Sequence, residues 1–222
     1  MVAFPTFSKI KDDQLQLQRW YLKWARAIAF FSAPILFGLF VTAEDFIVFV
    51  YSDKWIGMVT ALRIMCLAGV VSAVDTLSVA IFEATANVSR ELWIQAAYAI
   101  ALFLGSLVAI PWGIEGVSLV ILICSLLHFI IKSHILGRTI NLSPKLILDT
   151  LRWPILCSLA MVTLLAPLQM VPLNSGLTLA ISIPLGAMTY FVCMFLFARR
   201  EYQFMLTYAE RGLYSVKKYL WV

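Results

Sequence analysis

Three ionisable residues, Arg63, Asp75 and Glu83, fall inside or at the edge of one apolar run whose other residues, over 58–82, are all uncharged. A charge near the middle of a membrane span costs about 2.5 to 3.5 kcal/mol on insertion scales, so a residue kept there lines a pathway or meets a partner. Asp75 lies about 5 residues from the midpoint of that run, roughly 7.5 Å along a helix, too deep for its short side chain to reach water easily. It is expected to face a cavity or a partner. Arg63 is nearer the run's outer end and long enough either to reach the interface or to line a pathway. Glu83, at the inner boundary, fits a solvated helix end or a transport role. Arg63 and Asp75 are about 120° apart around a helix, so each needs a partner on another helix.

Other candidate chemistry is sparse. His128 and His134 are six residues apart, which puts them on different faces of a helix. His128 reads either as a proton relay or as a polar residue at a helix contact. No nucleophile stands beside a base, no His/Cys/Asp/Glu cluster has metal-ligand spacing, and the glycines form no phosphate loop. The chain is therefore not read as an enzyme, and no cofactor or metal is expected. The four cysteines, Cys66, Cys124, Cys157 and Cys193, are scattered in apolar segments and read as small buried hydrophobes. Asn87-Val88-Ser89 matches a glycosylation acceptor but falls in a loop placed inside the cell, where the match is chance.

The elements that must hold these residues are membrane helices. Of the 222 residues, 62% are hydrophobic and 13% charged, against about 25% charged in soluble domains. Residues 153–198 contain no Asp, Glu, Lys, Arg or His. One helix of that length would extend about 69 Å against a hydrocarbon core of about 30 Å, so the stretch holds two spans. Pro167, Pro172, Asn174, Ser175 and Gly176 supply the turn between them. Counting uncharged runs predicts six spans, over residues 25–43, 58–82, 92–111, 114–131, 153–170 and 177–198.

Orientation follows from Lys and Arg, which accumulate in cytoplasmic loops. With the amino terminus inside, fifteen of the 17 fall on the inner side, Lys132 included, while Lys54 lies in an outer loop and Arg63 in the second span. Six spans with both termini cytoplasmic fit this pattern. It also excludes nucleic acid as the explanation of the net charge of +5.

The domain reading is a cytoplasmic amphipathic segment (1–24), a six-span membrane domain (25–198) and a cytoplasmic interfacial tail (199–222). In the first, Ile10, Leu17, Tyr21 and Trp24 recur at helical spacing against Lys9, Asp12, Asp13 and Arg19, as in an interfacial helix. In the last, five Lys and Arg alternate with Tyr202, Phe204, Tyr208, Tyr214, Tyr219 and Trp221, a composition suited to lipid headgroups. The expected fold is thus an all-α integral membrane bundle of about six transmembrane helices, with an amphipathic N-terminal helix and a basic-aromatic C-terminal tail. After Glu44 and Asp45 close the first span, residues 46–51 are expected to fold back as a short amphipathic or re-entrant piece. Pro34, between Ala33 and Gly38, reads as a hinge or a static kink.

Specific residues then add a resemblance. Phe4-Pro5-Thr6-Phe7-Ser8-Lys9-Ile10, followed by Asp12-Asp13, Tyr21-Leu22, Pro34, Gly38-Leu39 and Lys54-Trp55, resembles the middle of the bacterial polysaccharide flippases. These are the polysaccharide transporter family of the multidrug/oligosaccharidyl-lipid/polysaccharide exporter superfamily. Its members usually have twelve to fourteen spans in two lobes, so the chain looks like the carboxyl-terminal six. Two departures bear on loop geometry. Many relatives carry a Gly shortly before the Lys-Trp pair, where this chain has Ser52-Asp53, and a Gly followed by a basic residue where this chain reads Ala86-Asn87-Val88-Ser89-Arg90.

The resemblance implies flipping of a lipid-linked oligosaccharide or polysaccharide precursor across the bacterial cytoplasmic (inner) membrane by alternating access. The implied partners are that substrate, membrane lipids and a missing N-terminal lobe or partner subunit. Arg63 and Asp75 are the candidates for the diphosphate and the coupling ion, with Glu83 a further pathway candidate. The alternative is a truncated or partner-dependent component of a polysaccharide assembly complex without transport of its own.

Overall fold

The computed structural model describes residues 14–84, 88–171 and 174–198. Among the described residues the architecture is all helical, and six helices are of membrane-spanning length: α1 (Gln14–Val41), α3 (Val59–Ala84), α4 (Val88–Ala109), α5 (Gly113–Ile140), α6 (Pro144–Leu165) and α7 (Ser175–Phe197). A short helix, α2 (Ala43–Tyr51), and a 3-10 turn, Asp53–Met58, lie between α1 and α3. Five continuous helical stretches are long and apolar enough to cross a membrane, and one of them, Ser89–Ile140, is 52 residues long. That stretch is broken by the 3-10 turn Ile110–Trp112 and by Gly113 at φ 66°, a conformation favouring glycine. It folds into the α4–α5 hairpin.

The helices differ from the uncharged runs mainly around the connection between α5 and α6. α5 continues to Ile140 and α6 begins at Pro144, so both run through Arg138, Lys145, Asp149 and Arg152. Charge interrupts hydropathy without interrupting a helix, because the backbone hydrogen bonds that define the helix do not depend on side-chain polarity. The expected inner loop over 132–152 shrinks to Asn141, Leu142 and Ser143. Asn141 adopts the left-handed conformation, φ 52°, that ends α5, and the Leu142 amide donates to the Gly137 carbonyl at 3.0 Å.

Residues 14–24, read from the sequence as a segment ahead of the first span, continue α1 without a break. Leu17 and Tyr21 are buried against Val74, Leu77, Ile81 and Phe82 of α3 and Leu136 and Ile140 of α5. The same periodicity that suits an interface suits a bundle face. Gln18 donates through Nε2 to the Ile140 carbonyl at 2.6 Å and the Asn141 carbonyl at 3.0 Å, satisfying acceptors that the end of α5 leaves open. Residues 1–13, which carry most of the motif, and the aromatic-basic tail over 199–222 lie outside the described residues.

A second core, of Phe30 and Val41 with Cys157, Met161, Leu165, Tyr190 and Met194, joins α1, α6 and α7. α2 is the short piece expected after the first span. It packs on α7 where the Phe49 ring meets Gly176, and the Asn174 side chain caps α7 by accepting from the Gly176 amide at 3.1 Å. The four cysteines are free, with Cys66 and Cys157 buried.

Candidate functional site

The sequence on α5 builds the site. Ser118, Ser125 and Lys132 recur every seven residues and, with His128 one turn before Lys132, form a polar stripe buried in the bundle. α5 packs along both α3 and α4, which touch each other far less, so a polar cavity of about 290 Å³ opens between α3 and α4 with α5 as its back wall. Ser72, Asp75 and Thr76 of α3, Gln95 and Tyr98 of α4, and Ser125, His128 and Lys132 of α5 line it.

Four charged or titratable groups meet there. Lys132, only 1% exposed, donates through Nζ to Glu91 Oε1 at 2.9 Å and to Asp75 Oδ2 at 3.3 Å. His128 Nδ1 lies 3.2 Å from the same Asp75 Oδ2. The Tyr98 ring stacks on the imidazole with centroids 4.3 Å apart, and its hydroxyl lies 3.2 Å from Ser125 Oγ. Two carboxylates and one ammonium leave the group one negative charge when the imidazole is neutral. Burying such a set is tolerated because each charge has an opposite neighbour in hydrogen-bonding reach. Asp75 Oδ1, Glu91 Oε2 and His128 Nε2 are nevertheless buried without a protein partner. Among the described residues, no group of three or more His, Cys, Asp or Glu is arranged to hold a metal ion.

The structure separates the three residues singled out from the sequence. Asp75 has its partners, His128 and Lys132, on another helix, α5, as its depth required. Arg63 lies 12 residues earlier on α3, about 18 Å along the axis, where its guanidinium is 4.0 Å from Glu44 in a largely exposed pair. The two are not brought together. Glu83 falls in the last turn of α3 and its side chain is outside what is described. His134 is exposed, on a different face from His128.

Lys132 corrects the reading that counted it among solvated inner-loop charges: it is enclosed in the bundle, held by two carboxylates. Its spacing of four from His128 and seven from Ser125 was the available signal. Glu91 drew no attention in the sequence, because a carboxylate in the first turn of a helix is usually a solvated match to the helix dipole.

Residues 1–60 match the model of a family described as "Polysaccharide biosynthesis protein". Over 201 residues, 85% of this chain, the sequence is 24% identical to the teichuronic acid biosynthesis protein TuaB of Bacillus subtilis, covering 40% of that protein. It is 32% identical over 73 residues to the lipopolysaccharide biosynthesis protein WzxC of Escherichia coli, 33% of this chain and 15% of that one. An uncharacterized membrane protein in the cps region of Klebsiella pneumoniae is 38% identical over 68 residues, 31% of this chain and 14% of that protein. The chain thus spans less than half the length of these curated relatives. No solved structure gives a significant match. The resemblance carried by residues 4–55 is borne out, and the chain is a multi-pass membrane protein similar to proteins of polysaccharide biosynthesis.

Proposed function

We propose that this chain is part of a transporter that flips a lipid-linked oligosaccharide or polysaccharide precursor across the bacterial inner membrane by alternating access. The observation that carries the reading is the buried Asp75–His128–Lys132–Glu91 group beside a polar cavity in an otherwise apolar bundle. Ionisable groups at such depth mark a path for a polar substrate or ion more often than a packing need. The relatives' names in polysaccharide, teichuronic acid and lipopolysaccharide biosynthesis support the substrate class. Asp75 is the pathway residue nearest mid-membrane, Arg63 stands toward the outer end of the same helix, and Glu83 at the inner end. Both termini are cytoplasmic in this reading.

Alternating access needs two bodies that move against each other, and this chain supplies one. The second is a further lobe or a partner subunit. In the organism that carries the gene, its removal is expected to abolish surface polysaccharide and leave the lipid-linked precursor on the inner leaflet, with restoration by the native gene and not by an Asp75→Asn version. Unchanged surface polysaccharide after removal would sink the proposal.

A second reading, a partner-dependent component of a polysaccharide assembly complex without transport of its own, is favoured by the short span of the relatives that the chain covers. The native product's size in host membranes separates the two. A band near twice 25.0 kDa favours a two-lobed transporter, and a band at 25.0 kDa favours the component.

A further inference from the structure

The gap between α3 and α4 is polar where lipid would require it to be apolar. Ser72 and Thr76 of α3 and Gln95 of α4 line the cavity and are exposed, so they form its rim. Measured from the ends where the two helices are joined, Thr76 lies about 12 Å along α3 and Gln95 about 10.5 Å along α4. The helices are about 39 and 33 Å long against a core of about 30 Å, an overhang of at most about 9 Å, so both positions lie within the hydrocarbon. The opposite side of α4 presents Trp93, Ile100, Phe103 and Leu104, all exposed and all compatible with acyl chains. Acyl chains offer an amide or hydroxyl no partner, so the rim needs protein to seal it from lipid.

The gap itself defines its cover. A volume of about 290 Å³ equals about ten water molecules at roughly 30 Å³ each, room for one long side chain and not for a helix. A covering helix therefore lies across the rim and inserts a side chain. Thr76 Oγ1 already donates to the Ser72 carbonyl at 3.0 Å, so the α3 wall has acceptors to offer. Behind it, the group of Asp75, Glu91, Lys132 and His128 is net negative with the imidazole neutral and uncharged with it protonated, and repels a cation in neither state. An inserted Lys, Arg, Asn or Gln finds partners there, whereas an Asp or Glu adds like charge. A second copy of this chain would bring another concave gap over another such group and would fill neither. The curated relatives, of which the chain covers 40% or less, have ample length outside this stretch to supply the helix.

We propose that the α3–α4 gap seats a membrane-spanning helix from outside residues 1–222, which inserts a basic or amide side chain between Ser72, Thr76 and Gln95. Under the transport reading above that helix belongs to the second body, and under the component reading to another subunit. The inference holds in both and adds the surface at which the partner sits.

The test places a photoreactive benzoylphenylalanine at position 76 or 95 in the gene at its native locus, with position 103 as the lipid-facing control. Host membranes are irradiated and the crosslinked peptides mapped by mass spectrometry. Positions 76 and 95 are expected to reach one and the same apolar segment from outside residues 1–222, with Lys, Arg, Asn or Gln within a helical turn of the attachment point. Their yield should exceed that at position 103 about tenfold, and changing the segment's polar residue to Leu should lower it several-fold, as loss of one buried polar contact does.

Crosslinks to phospholipid or to a second copy of this chain, different segments reached from the two positions, a yield no higher than at position 103, or a yield indifferent to the Leu replacement would each overturn the interface. Absence of the crosslink in a strain whose surface polysaccharide depends on the gene sinks this inference alone. The expected crosslink in a strain whose surface polysaccharide survives removal of the gene sinks the transport reading and retains the interface.

Discussion

The Tyr190 hydroxyl on α7 donates at 2.8 Å to the Phe30 carbonyl on α1, the one acceptor that Pro34 leaves without its helical partner. A proline inside a helix has no N–H for the carbonyl four residues back, and in a membrane that orphan has no water to turn to. The proline in α1 and the docking of α7 are thus linked through one carbonyl. Tyr190→Phe should lower stability by about 1–3 kcal/mol, the cost of exposing one buried acceptor. Pro34→Ala returns an N–H to Phe30, so in that background the same change should cost clearly less. Equal costs in both backgrounds, measured by denaturant unfolding in detergent, would show that Tyr190 acts only through packing.

Ser52 sits at φ 84° and ψ 165°, a region open to glycine and strained for other residues, directly after α2. This is the position beside Lys54-Trp55 where the resemblance led one to expect a glycine. Relief of strain outweighs the entropy glycine brings, so Ser52→Gly should stabilise by about 1 kcal/mol while Ser52→Ala gives no gain. A thermal unfolding series of the three proteins decides it, and a drop in midpoint for Ser52→Gly would refute the strain argument.

Lys132 holds Asp75 and Glu91 in one buried network, and removing it alone strands Glu91 and leaves Asp75 with the His128 imidazole only. Lys132→Met should destabilise by about 3–5 kcal/mol. Adding Asp75→Asn and Glu91→Gln should recover most of that loss, because an amide pair tolerates burial better than unpaired charge. A triple variant no more stable than the single one would mean that the ammonium stem's packing, not its charge, is what matters.

Gly116 stands where the α4–α5 hairpin turns, and a Cβ there would lie 2.6 Å from the Trp112 Cβ and 3.0 Å from the Ala109 carbonyl oxygen. Neither neighbour is the flexible end of a side chain, so Gly116→Ala should cost about 1–3 kcal/mol by prying the turn open. Gly57, with nothing within 4 Å of its would-be Cβ, is the matched control, and Gly57→Ala should be neutral or slightly stabilising, as intrinsic propensity dictates. Comparable losses at both positions would remove the steric explanation.

The membrane character, the number of long helices and the two-helix content of residues 153–198 were legible because a hydrocarbon core imposes length and apolarity on any sequence that crosses it. Asp75's need for a partner on another helix was legible for the same reason. Helix ends were not: α5 and α6 run through charged turns where hydropathy falls while backbone hydrogen bonding continues. The place of residues 14–24 was open because a stripe of Leu17 and Tyr21 fits lipid and protein equally. Lys132 was misplaced because a lysine at the end of an apolar run is ordinarily solvated, and only its carboxylate neighbours on α3 and α4, far away in sequence, draw it inward.

The tight α4–α5 connection bears on how the chain is made. Glu91 and Lys132 face each other across this hairpin, 2.9 Å apart, so the two helices can leave the translocon together with that buried pair already neutralised. Asp75, synthesised earlier on α3, gains its counter-charge only when that unit arrives. A nascent chain ending before residue 88 should therefore hold α3 in the bilayer less securely than one that includes α5, which makes the charged group a checkpoint of assembly as well as a feature of the finished protein.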